Sequence, residues 1–207
     1  MLNPVNIAVL VSGGGTNLQA LIDAQASGSL KSGRISLVIS SNPSAYALKR
    51  AEQNGIPAAV AEKRGHTQEE FEAALSALLE EYRIDLIILA GFMSILSANF
   101  TRHWPERIIN VHPALIPSFC GKGFYGLKVH EAALQYGVRV TGATVHFVNE
   151  VPDGGKIIAQ KAVAVRKGDT PETLQRRVME KAEWGLLPQA AEQVARAMAK
   201  EKGRNRS

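Results

Sequence analysis

The stretch Asn6-Ile7-Ala8-Val9-Leu10-Val11-Ser12-Gly13-Gly14-Gly15-Thr16-Asn17 decides the fold of this chain. Its apolar first half predicts a short strand, the three glycines predict a tight turn, and a helix is expected from about Asn17 to Ala26. Backbone N–H groups at such a helix start favour an anion such as phosphate. A turn without a ligand explains the loop equally well, because the loop lacks both the third glycine of the dinucleotide fingerprint and the Gly-Lys-Ser/Thr of a Walker loop.

Strands and helices alternate through the first half of the chain, which predicts a parallel sheet with helices on both faces. Two longer strands follow one another after position 112, and they predict an antiparallel pair. The expected fold is an α/β, Rossmann-like open twisted sheet, mostly parallel with an antiparallel C-terminal part. The further predicted strands are Arg34–Ser40, Ala58–Ala61, Asp85–Ala90, Arg107–Val111, Val138–Val148 and Lys156–Val165. The further predicted helices are Ser44–Asn54, Thr67–Tyr82 with a Thr67–Glu70 capping box, Val129–Gln135, and Thr170–Lys200 with a bend near residues 185–188.

Length and composition are those of one ordinary globular domain. The chain has 207 residues, 45% of them hydrophobic and 21% charged, and its only cysteine is Cys120, so no intrachain disulfide can form. We expect a cytoplasmic protein without membrane contact, because the sequence shows neither a signal-peptide pattern nor an apolar run of membrane-spanning length. The last eight residues carry four positive charges and one negative charge of the net +5. We therefore expect one domain, residues 1–199, and a basic, disordered tail, residues 200–207, without a nucleic-acid partner.

Asn110 and His112 lie two residues apart at the end of a predicted strand, in Ile109-Asn110-Val111-His112-Pro113-Ala114-Leu115-Ile116-Pro117. Residues with this spacing project from the same face, just past the carboxyl end of the strand, where ligands bind in open α/β sheets. An amide donor beside a titratable base suits acyl-group chemistry, in which a carbonyl oxygen gains negative charge. The alternative is that the two side chains cap the following turn.

Two other segments could complete a site with this pair. Asp153 lies in Pro152-Asp153-Gly154-Gly155, and its carboxylate would favour the imidazolium form of His112 and raise the pKa of that ring. A simple turn is the better explanation of this local sequence alone. The segment Ala90-Gly91-Phe92-Met93-Ser94-Ile95-Leu96 follows another strand end, and its amides and apolar side chains suit a flat heteroaromatic ring. A core-filling loop is its simpler interpretation.

The remaining histidines and the cysteine predict no further site. No metal is expected, because no metal-ligand spacing is found among His66, His103, His130 and His146. Cys120 lies in the glycine-rich stretch Ser118–Gly126, and no adjacent base or helix N-terminus indicates a reactive thiol.

Taken together, these motifs resemble those of the folate-dependent glycinamide ribonucleotide formyltransferases, from Asn6 to about Pro188. The stretch around Asn110 and His112 is shared with other formyl-transferring enzymes, whereas the first glycine loop, combined with the rest, is specific to the ribonucleotide branch. The matching segments are Val11–Gln19, Leu89–Leu96, Ile109–Pro117, and Val145–Val148 with Asp153–Gly155.

The resemblance implies a reaction and the residues that carry it. The formyl group of 10-formyltetrahydrofolate would pass to the amine of 5′-phosphoribosylglycinamide, giving formylglycinamide ribonucleotide and tetrahydrofolate in de novo purine biosynthesis. No metal would be needed, and we expect a monomer or a weak homodimer. The implied catalytic residues are Asn110, His112 and Asp153. The implied ribonucleotide-binding residues are Gly13, Gly14, Gly15, Thr16, Asn17 and Glu183. The implied folate-binding residues are Met93, Ser94, Ile95, Leu96, Asn110, Val151 and Asp153.

The chain departs from the family motif at four positions. Ala114 stands where serine is usual, Ile116 where leucine is usual, and Lys156 where proline is usual. Gln68 occupies a position that is often basic, which puts the family contact to the glutamate tail of the folate in doubt. None of these changes removes a catalytic group.

Two kinds of alternative stay open. A methionyl-tRNA formyltransferase or a formyltetrahydrofolate hydrolase shares the central motif, but the former should carry a further C-terminal domain and the latter a small preceding regulatory domain. A non-catalytic nucleotide- or RNA-binding module could use the basic tail. That alternative leaves Asn110, His112 and Asp153 unexplained.

Overall fold

The computed structural model describes residues 4–204, in which a seven-stranded sheet lies between two layers of helices. The strands of this part are β1 Val5–Val11, β2 Gly33–Ser40, β3 Ala58–Val60, β4 Leu86–Leu89, β5 Ile108–His112, β6 Val140–Phe147 and β7 Ile157–Ala164. Its helices are α1 Thr16–Ala26, α2 Tyr46–Gln53, α3 Gln68–Glu81, α4 Ala98–His103, α5 Leu127–Tyr136, α6 Pro171–Val178 and α7 Trp184–Arg204, with one π-helical turn at Met179–Glu183.

The sheet has the strand order β3-β2-β1-β4-β5-β6-β7, and this confirms the predicted α/β fold. The first five strands pair in parallel, whereas β6 is antiparallel to β5 and β7 is antiparallel to β6. The order reverses between β1 and β4, and ligands of open α/β sheets bind outside the carboxyl ends of the strands at such a point. The loops that follow β1, β4 and β5 therefore leave the sheet at the edge where a ligand is expected.

Both faces of the sheet are buried, because the parallel strands carry nearly continuous apolar runs. On one face, Val9 of β1 belongs to the same apolar cluster as Leu187 and Ala191 of α7. On the other face, Leu10 of β1 belongs to the cluster that contains Phe71 of α3. The strand ends that carry the candidate site residues are thus anchored from both sides.

Helix α4 was not predicted, because six residues are too few to show a helical period. Ser97 begins it by accepting a hydrogen bond from the N–H of Phe100 through its side chain. The capping box of Thr67 and Glu70, in contrast, is present as predicted at the start of α3.

The last helical segment differs from the prediction in two ways. Its irregular turn, Met179–Glu183, lies before the predicted bend at residues 185–188. The helix also continues to Arg204, because buried residues such as Ala199 extend its apolar face, so residues 200–204 of the predicted disordered tail are helical. Lys202 forms an ion pair with Asp85 there, at 2.5 Å. Residues 205–207 lie outside the described part, within which no helix is long and apolar enough to cross a membrane.

Candidate active site

Four polar side chains share one face of the sheet where β5 and β6 meet. The strand register pairs Asn110 with His146 and His112 with Thr144. Residues directly opposite one another on antiparallel strands project from the same face, so the predicted pair on β5 gains two neighbours from β6. His112, Thr144 and His146 are buried. The site is therefore built on two rigid strands.

The ring of His112 faces an oxygen acceptor on each side. Its Nε2 donates to the carbonyl of Phe119 at 2.8 Å, and its Nδ1 lies 3.6 Å from Oδ2 of Asp153. Only the imidazolium form could donate to both oxygens. The distance to Asp153 exceeds that of a hydrogen bond, so Nδ1 is the ring nitrogen that can still bond to a ligand.

Asp153 raises the pKa of His112 as predicted, but the net rise that was predicted is wrong. Burial lowers the pKa of His112 below its ordinary value of 6.5, and the opposing effects of Asp153 and of the Phe119 carbonyl do not compensate. At neutral pH the ring is therefore mostly uncharged, with its proton on Nε2. A further negative charge beside Nδ1 would favour the imidazolium form.

Asp153 reaches His112 because the loop after β6 folds back over the sheet. Asp153 itself has a φ of +56°, in the left-handed region that non-glycine residues seldom adopt. A Cβ on Gly155 would lie 1.8 Å from the carbonyl oxygen of Phe147, so the return of the chain requires glycine at that position. Asp153 therefore lies in the predicted turn and is also the predicted partner of His112.

The Asp153 carboxylate is also held by the loop that covers the site. Gly121 donates its N–H to Oδ2 at 2.8 Å, and Nε2 of His146 lies 3.5 Å from Oδ1. Burial raises the pKa of Asp153, but the contacts with His146, Gly121 and His112 outweigh it, so the pKa lies below 3.8 and the group is ionised at neutral pH. Burial and the nearby Asp153 raise the pKa of Cys120, which agrees with an unreactive thiol.

His146 belongs to the cluster although the sequence analysis did not select it. Its Nδ1 donates to the Phe147 carbonyl at 2.7 Å, and its Nε2 lies 3.3 Å from Nδ2 of Asn110 and 3.5 Å from Oδ1 of Asp153. A signal for His146 exists in the sequence. Thr144 and His146 repeat, on the next strand, the spacing of Asn110 and His112. Using that signal requires the antiparallel register.

The glycine loop and α1 form a second part of the site, at the carboxyl end of β1. Helix α1 begins at Thr16 without a side-chain cap, so its first N–H groups can bind an anion. Gly15 has a φ of +73°, and a Cβ there would lie 2.7 Å from the Cβ of Ala47. Helix α2 thus packs directly on the loop, where Arg50 donates to the Gly14 carbonyl at 2.8 Å. Arg50 is a cation beside the loop that the sequence analysis missed, because only this packing reveals it.

Asn17 and Glu183 meet in the interior although 166 residues separate them. Nδ2 of Asn17 donates to Oε2 of Glu183 at 2.7 Å. Burial raises the pKa of Glu183, against the opposing effect of this hydrogen bond. Oδ1 of Asn17 is buried without a partner among the described residues, and a hydroxyl donor could satisfy it. The carboxyl belongs to the π-helical turn, a feature that is frequent at functional sites.

The segment after β4 forms an apolar shelf, which we define as Met93, Ser94 and Ile95. The side chains of Met93 and Ile95 are 56% and 73% exposed, and Val151, in the loop that carries Asp153, is 56% exposed. The N–H of Met93 donates to the hydroxyl of Ser12 at 2.9 Å, so the shelf adjoins the glycine loop. Leu96 is instead buried in the core, so it could contact a ligand only through its backbone.

Two further features were compared with this site: possible metal ligands and a groove elsewhere on the surface. Within residues 4–204, no three or more His, Cys, Asp or Glu side chains are placed to hold a metal ion. A groove of about 690 Å³ runs along the opposite end of β5, lined by Arg107, Lys156 and Met198 among others, and it contains none of the predicted site residues. The candidate site lies instead at the carboxyl edge of the sheet.

The chain is similar to known proteins of one family. Residues 5–190 match the formyl transferase family model. The chain is 46% identical over 194 residues to the trifunctional purine biosynthetic protein adenosine-3 of Gallus gallus; the alignment covers 93% of this chain and 19% of that protein, so the chain spans about a fifth of that relative. It is 40% identical over 183 residues to the phosphoribosylglycinamide formyltransferase of Haemophilus influenzae, covering 88% and 83% of the two chains. The crystal structure of glycinamide ribonucleotide transformylase 1 from Symbiobacterium toebii superimposes with a TM-score of 0.87 at 40% identity, over 94% and 89% of the chains.

Proposed function

The chain belongs to the phosphoribosylglycinamide formyltransferases of the formyl transferase family, and on this premise we propose that it formylates 5′-phosphoribosylglycinamide with 10-formyltetrahydrofolate. The products are formylglycinamide ribonucleotide and tetrahydrofolate, in de novo purine biosynthesis. The family that the sequence motifs resembled is confirmed.

One observation carries the proposal. The glycine loop, the shelf and the Asn110–His112 pair follow three strands that are neighbours in the sheet, and all three open at its carboxyl edge. The hydrogen bond from Met93 to Ser12 joins the first two parts. A phosphorylated amine on the loop and a folate on the shelf would therefore meet at the polar pair on β5.

Asn110 and His112 stabilise the oxyanion in this proposal. Attack of the amine on the formyl carbon forms a C–N bond and a tetrahedral oxyanion, to which Nδ2 of Asn110 donates. One such donor is worth about 3–4 kcal/mol in the transition state. The oxyanion adds negative charge beside Nδ1 of His112, and this charge favours the imidazolium form that burial disfavours in the ligand-free protein.

The proton then moves from the amine nitrogen to N10 of the folate. His112 takes it on Nδ1 while its Nε2 stays bonded to Phe119, and the Asp153 carboxylate stabilises the positive ring. A water bonded to Nδ1 beside Asp153 can relay the proton between the two nitrogens. As the C–N10 bond breaks, N10 receives the proton and the carbonyl re-forms, so the amine loses one proton and the folate nitrogen gains one.

Binding roles divide between the two parts of the site. The N–H groups of the first turn of α1 hold the ribonucleotide phosphate, Arg50 adds a positive charge beside it, and the Asn17–Glu183 pair offers acceptors to ribose hydroxyls. The shelf and Val151 border the folate ring system. The proposed ribonucleotide-binding residues are Gly13, Gly14, Gly15, Thr16, Asn17 and Glu183, and the proposed folate-binding residues are Met93, Ser94, Ile95, Leu96, Asn110, Val151 and Asp153.

The deciding experiment is a formyl-transfer assay with purified protein, in which the formylated ribonucleotide is identified by mass spectrometry. We expect product only when 5′-phosphoribosylglycinamide and 10-formyltetrahydrofolate are both present. Formate plus ATP should not replace the folate. Release of formate without the ribonucleotide would instead identify the hydrolase alternative.

The protein's partners in this proposal are small molecules, and the cytoplasm is the proposed compartment because the chain has a single cysteine. A monomer or a weak homodimer is proposed, and sedimentation over a range of protein concentrations tests it. The RNA-binding alternative loses support, because part of the basic C-terminal stretch is helical and Lys202 is paired with Asp85.

A further inference from the structure

Gln68 braces the shelf instead of supplying a positive charge to a ligand. Its amide nitrogen donates to Oε1 of Glu72 at 2.7 Å and to the carbonyl of Ile95 at 3.0 Å. Glu72 in turn accepts from both the N–H and the hydroxyl of Ser97 at 2.6 Å. The start of α3 therefore holds the shelf with neutral and anionic groups. A folate ends in a glutamate dicarboxylate, so its cationic partners must come from elsewhere.

Cations lie on the loop immediately before α3, and hydrogen bonds connect this loop to the shelf. The N–H of Lys63 donates to the carbonyl of Ser41 at 3.4 Å, and the hydroxyl of Ser41 bonds to that of Ser12 at 2.7 Å. Ser12 accepts from the N–H of Met93. Lys63, Ser41, Ser12 and Met93 thus follow one another along the carboxyl edge of the sheet, so hydrogen bonds through two residues link the loop of Lys63 and Arg64 to the shelf.

The side chain of Lys63 extends toward the aromatic pair that adjoins the shelf. Its Nζ lies 5.4 Å from the centroid of the Phe71 ring, and Phe71 stacks at 6.3 Å on Phe92, the residue before Met93. Lys63 is half-buried, whereas Arg64 is exposed. The loop therefore offers one anchored cation and one that extends into solvent.

Nearby acids do not cancel these two charges. Glu70 bonds to the N–H of Thr67 in the capping box, at 2.9 Å, and Glu72 is bonded to Ser97. Glu62 and Glu69 are exposed, where water and salt screen their repulsion of an anion.

We propose that Lys63 and Arg64 bind the glutamate carboxylates of the folate donor while its ring system lies on the shelf. This assignment rests on the proposed function and deepens it, because it names the residues that set donor affinity. A donor with several γ-linked glutamates presents more carboxylates to the pair, so the protein should prefer it to a monoglutamate.

The test compares the wild type with the double variant Lys63→Gln/Arg64→Gln, which removes both charges and keeps polar side chains of moderate length. Arg34→Gln, at the amino end of β2 and so on the opposite edge of the sheet, is the matched control. KM and kcat are measured with 10-formyltetrahydrofolate as monoglutamate and as triglutamate, and with 10-formyltetrahydropteroate, which has no glutamate. Thermal unfolding confirms that each variant is folded.

The double variant should raise KM about three- to tenfold for the monoglutamate and more for the triglutamate, because partly exposed charge pairs each contribute modestly. The value of kcat and the KM for the pteroate should stay unchanged, and about 0.5 M salt should reduce the difference. Equal KM values for variant and wild type with every donor would overturn the assignment and leave the proposed function standing. An equal loss with the pteroate would also overturn it. Absence of product from the wild type with all three donors would overturn both proposals.

Discussion

The proposed site has a ribonucleotide half, which we define as the glycine loop, Asn17 and Glu183, and a formyl half, which we define as Asn110, His112, His146 and Asp153. The contacts within the two halves differ in length. In the ribonucleotide half, Gly15 packs against Ala47 and Asn17 bonds to Glu183 at 2.7 Å in the interior. In the formyl half, the contacts among Asn110, His112, His146 and Asp153 measure 3.3 to 3.6 Å. The difference teaches that, in the proposed reaction, the acceptor meets closely bonded groups, whereas the proposed catalytic side chains keep hydrogen-bonding capacity for the reacting atoms.

The largest effect should come from the formyl half. Asn110→Ala, His112→Ala and Asp153→Asn should each lower kcat roughly 10²- to 10³-fold, because each removes a group that stabilises the oxyanion or the charged ring. Thermal unfolding shows whether each variant is folded, because His112→Ala also removes a buried ring and its 2.8 Å bond to Phe119. Steady-state kinetics with both substrates measures the effect. Near-normal turnover in all three variants would contradict the assignment of this half.

A buried histidine beside the formyl half gives a pH-dependent prediction. Neither ring nitrogen of His130 has a partner among the described residues, and burial, with a smaller effect of His112, lowers its pKa from 6.5 to about 4. Between these two values the unfolded chain binds a proton that the folded protein does not, so stability falls as the pH drops. The loss should reach about 2–3 kcal/mol near pH 4.

His130→Phe should remove this loss, because it replaces an unsatisfied polar ring by an apolar one of similar shape. Urea unfolding of both proteins at about pH 7.5 and pH 4.5 measures the difference. Glu183, whose pKa is raised, affects both proteins alike and cancels in the comparison. The same pH dependence in variant and wild type would show that His130 does not titrate as its burial requires.

The close packing of the ribonucleotide half is tested by Gly15→Ala. An alanine there must adopt a φ of +73° and place its Cβ 2.7 Å from that of Ala47, which should cost about 2 kcal/mol of unfolding free energy. We also expect a higher KM for the ribonucleotide and an unchanged KM for the folate. Gly185→Ala, where nothing lies within 4 Å of the added Cβ, is the control. A Gly15→Ala protein as stable as the control would mean that this half is less tightly built than its distances indicate.

The smallest effect is expected at His146, which acts through Asn110. His146→Phe removes the ring nitrogen that contacts the Asn110 amide and the Asp153 carboxylate, and should lower kcat up to about tenfold while leaving the KM for the ribonucleotide unchanged. His146→Gln keeps a polar acceptor and should recover part of the loss. A rise in both KM values, without a change in kcat, would indicate a merely structural role.

The sequence predicts best what depends on neighbouring residues. The alternation of strands and helices and the Asn110–His112 pair are local patterns, and the structure has both. Helix α4 is too short to show a helical period, and no local sequence pattern predicts the π-helical turn. Glu183 was found through family resemblance, since nothing in its local sequence connects it to Asn17.

The site residues that were missed depend on geometry. His146 enters the cluster through the antiparallel register, and the N–H of Gly121 and the carbonyl of Phe119 are backbone groups that any residue type could supply. The direction of the His112 pKa shift was predicted wrongly for a related reason. The sequence contains the carboxylate that raises the pKa, but not the depth of burial that lowers it further.

The hydrogen bond between Asn17 and Glu183 joins an early and a late part of the chain, so the order of synthesis decides when it can form. Glu183 follows the glycine loop and all seven strands along the chain, so every strand is synthesised before the carboxyl that pairs with Asn17. Docking of the segment that carries Glu183 therefore completes this part of the proposed site only after the strands of the sheet have been made.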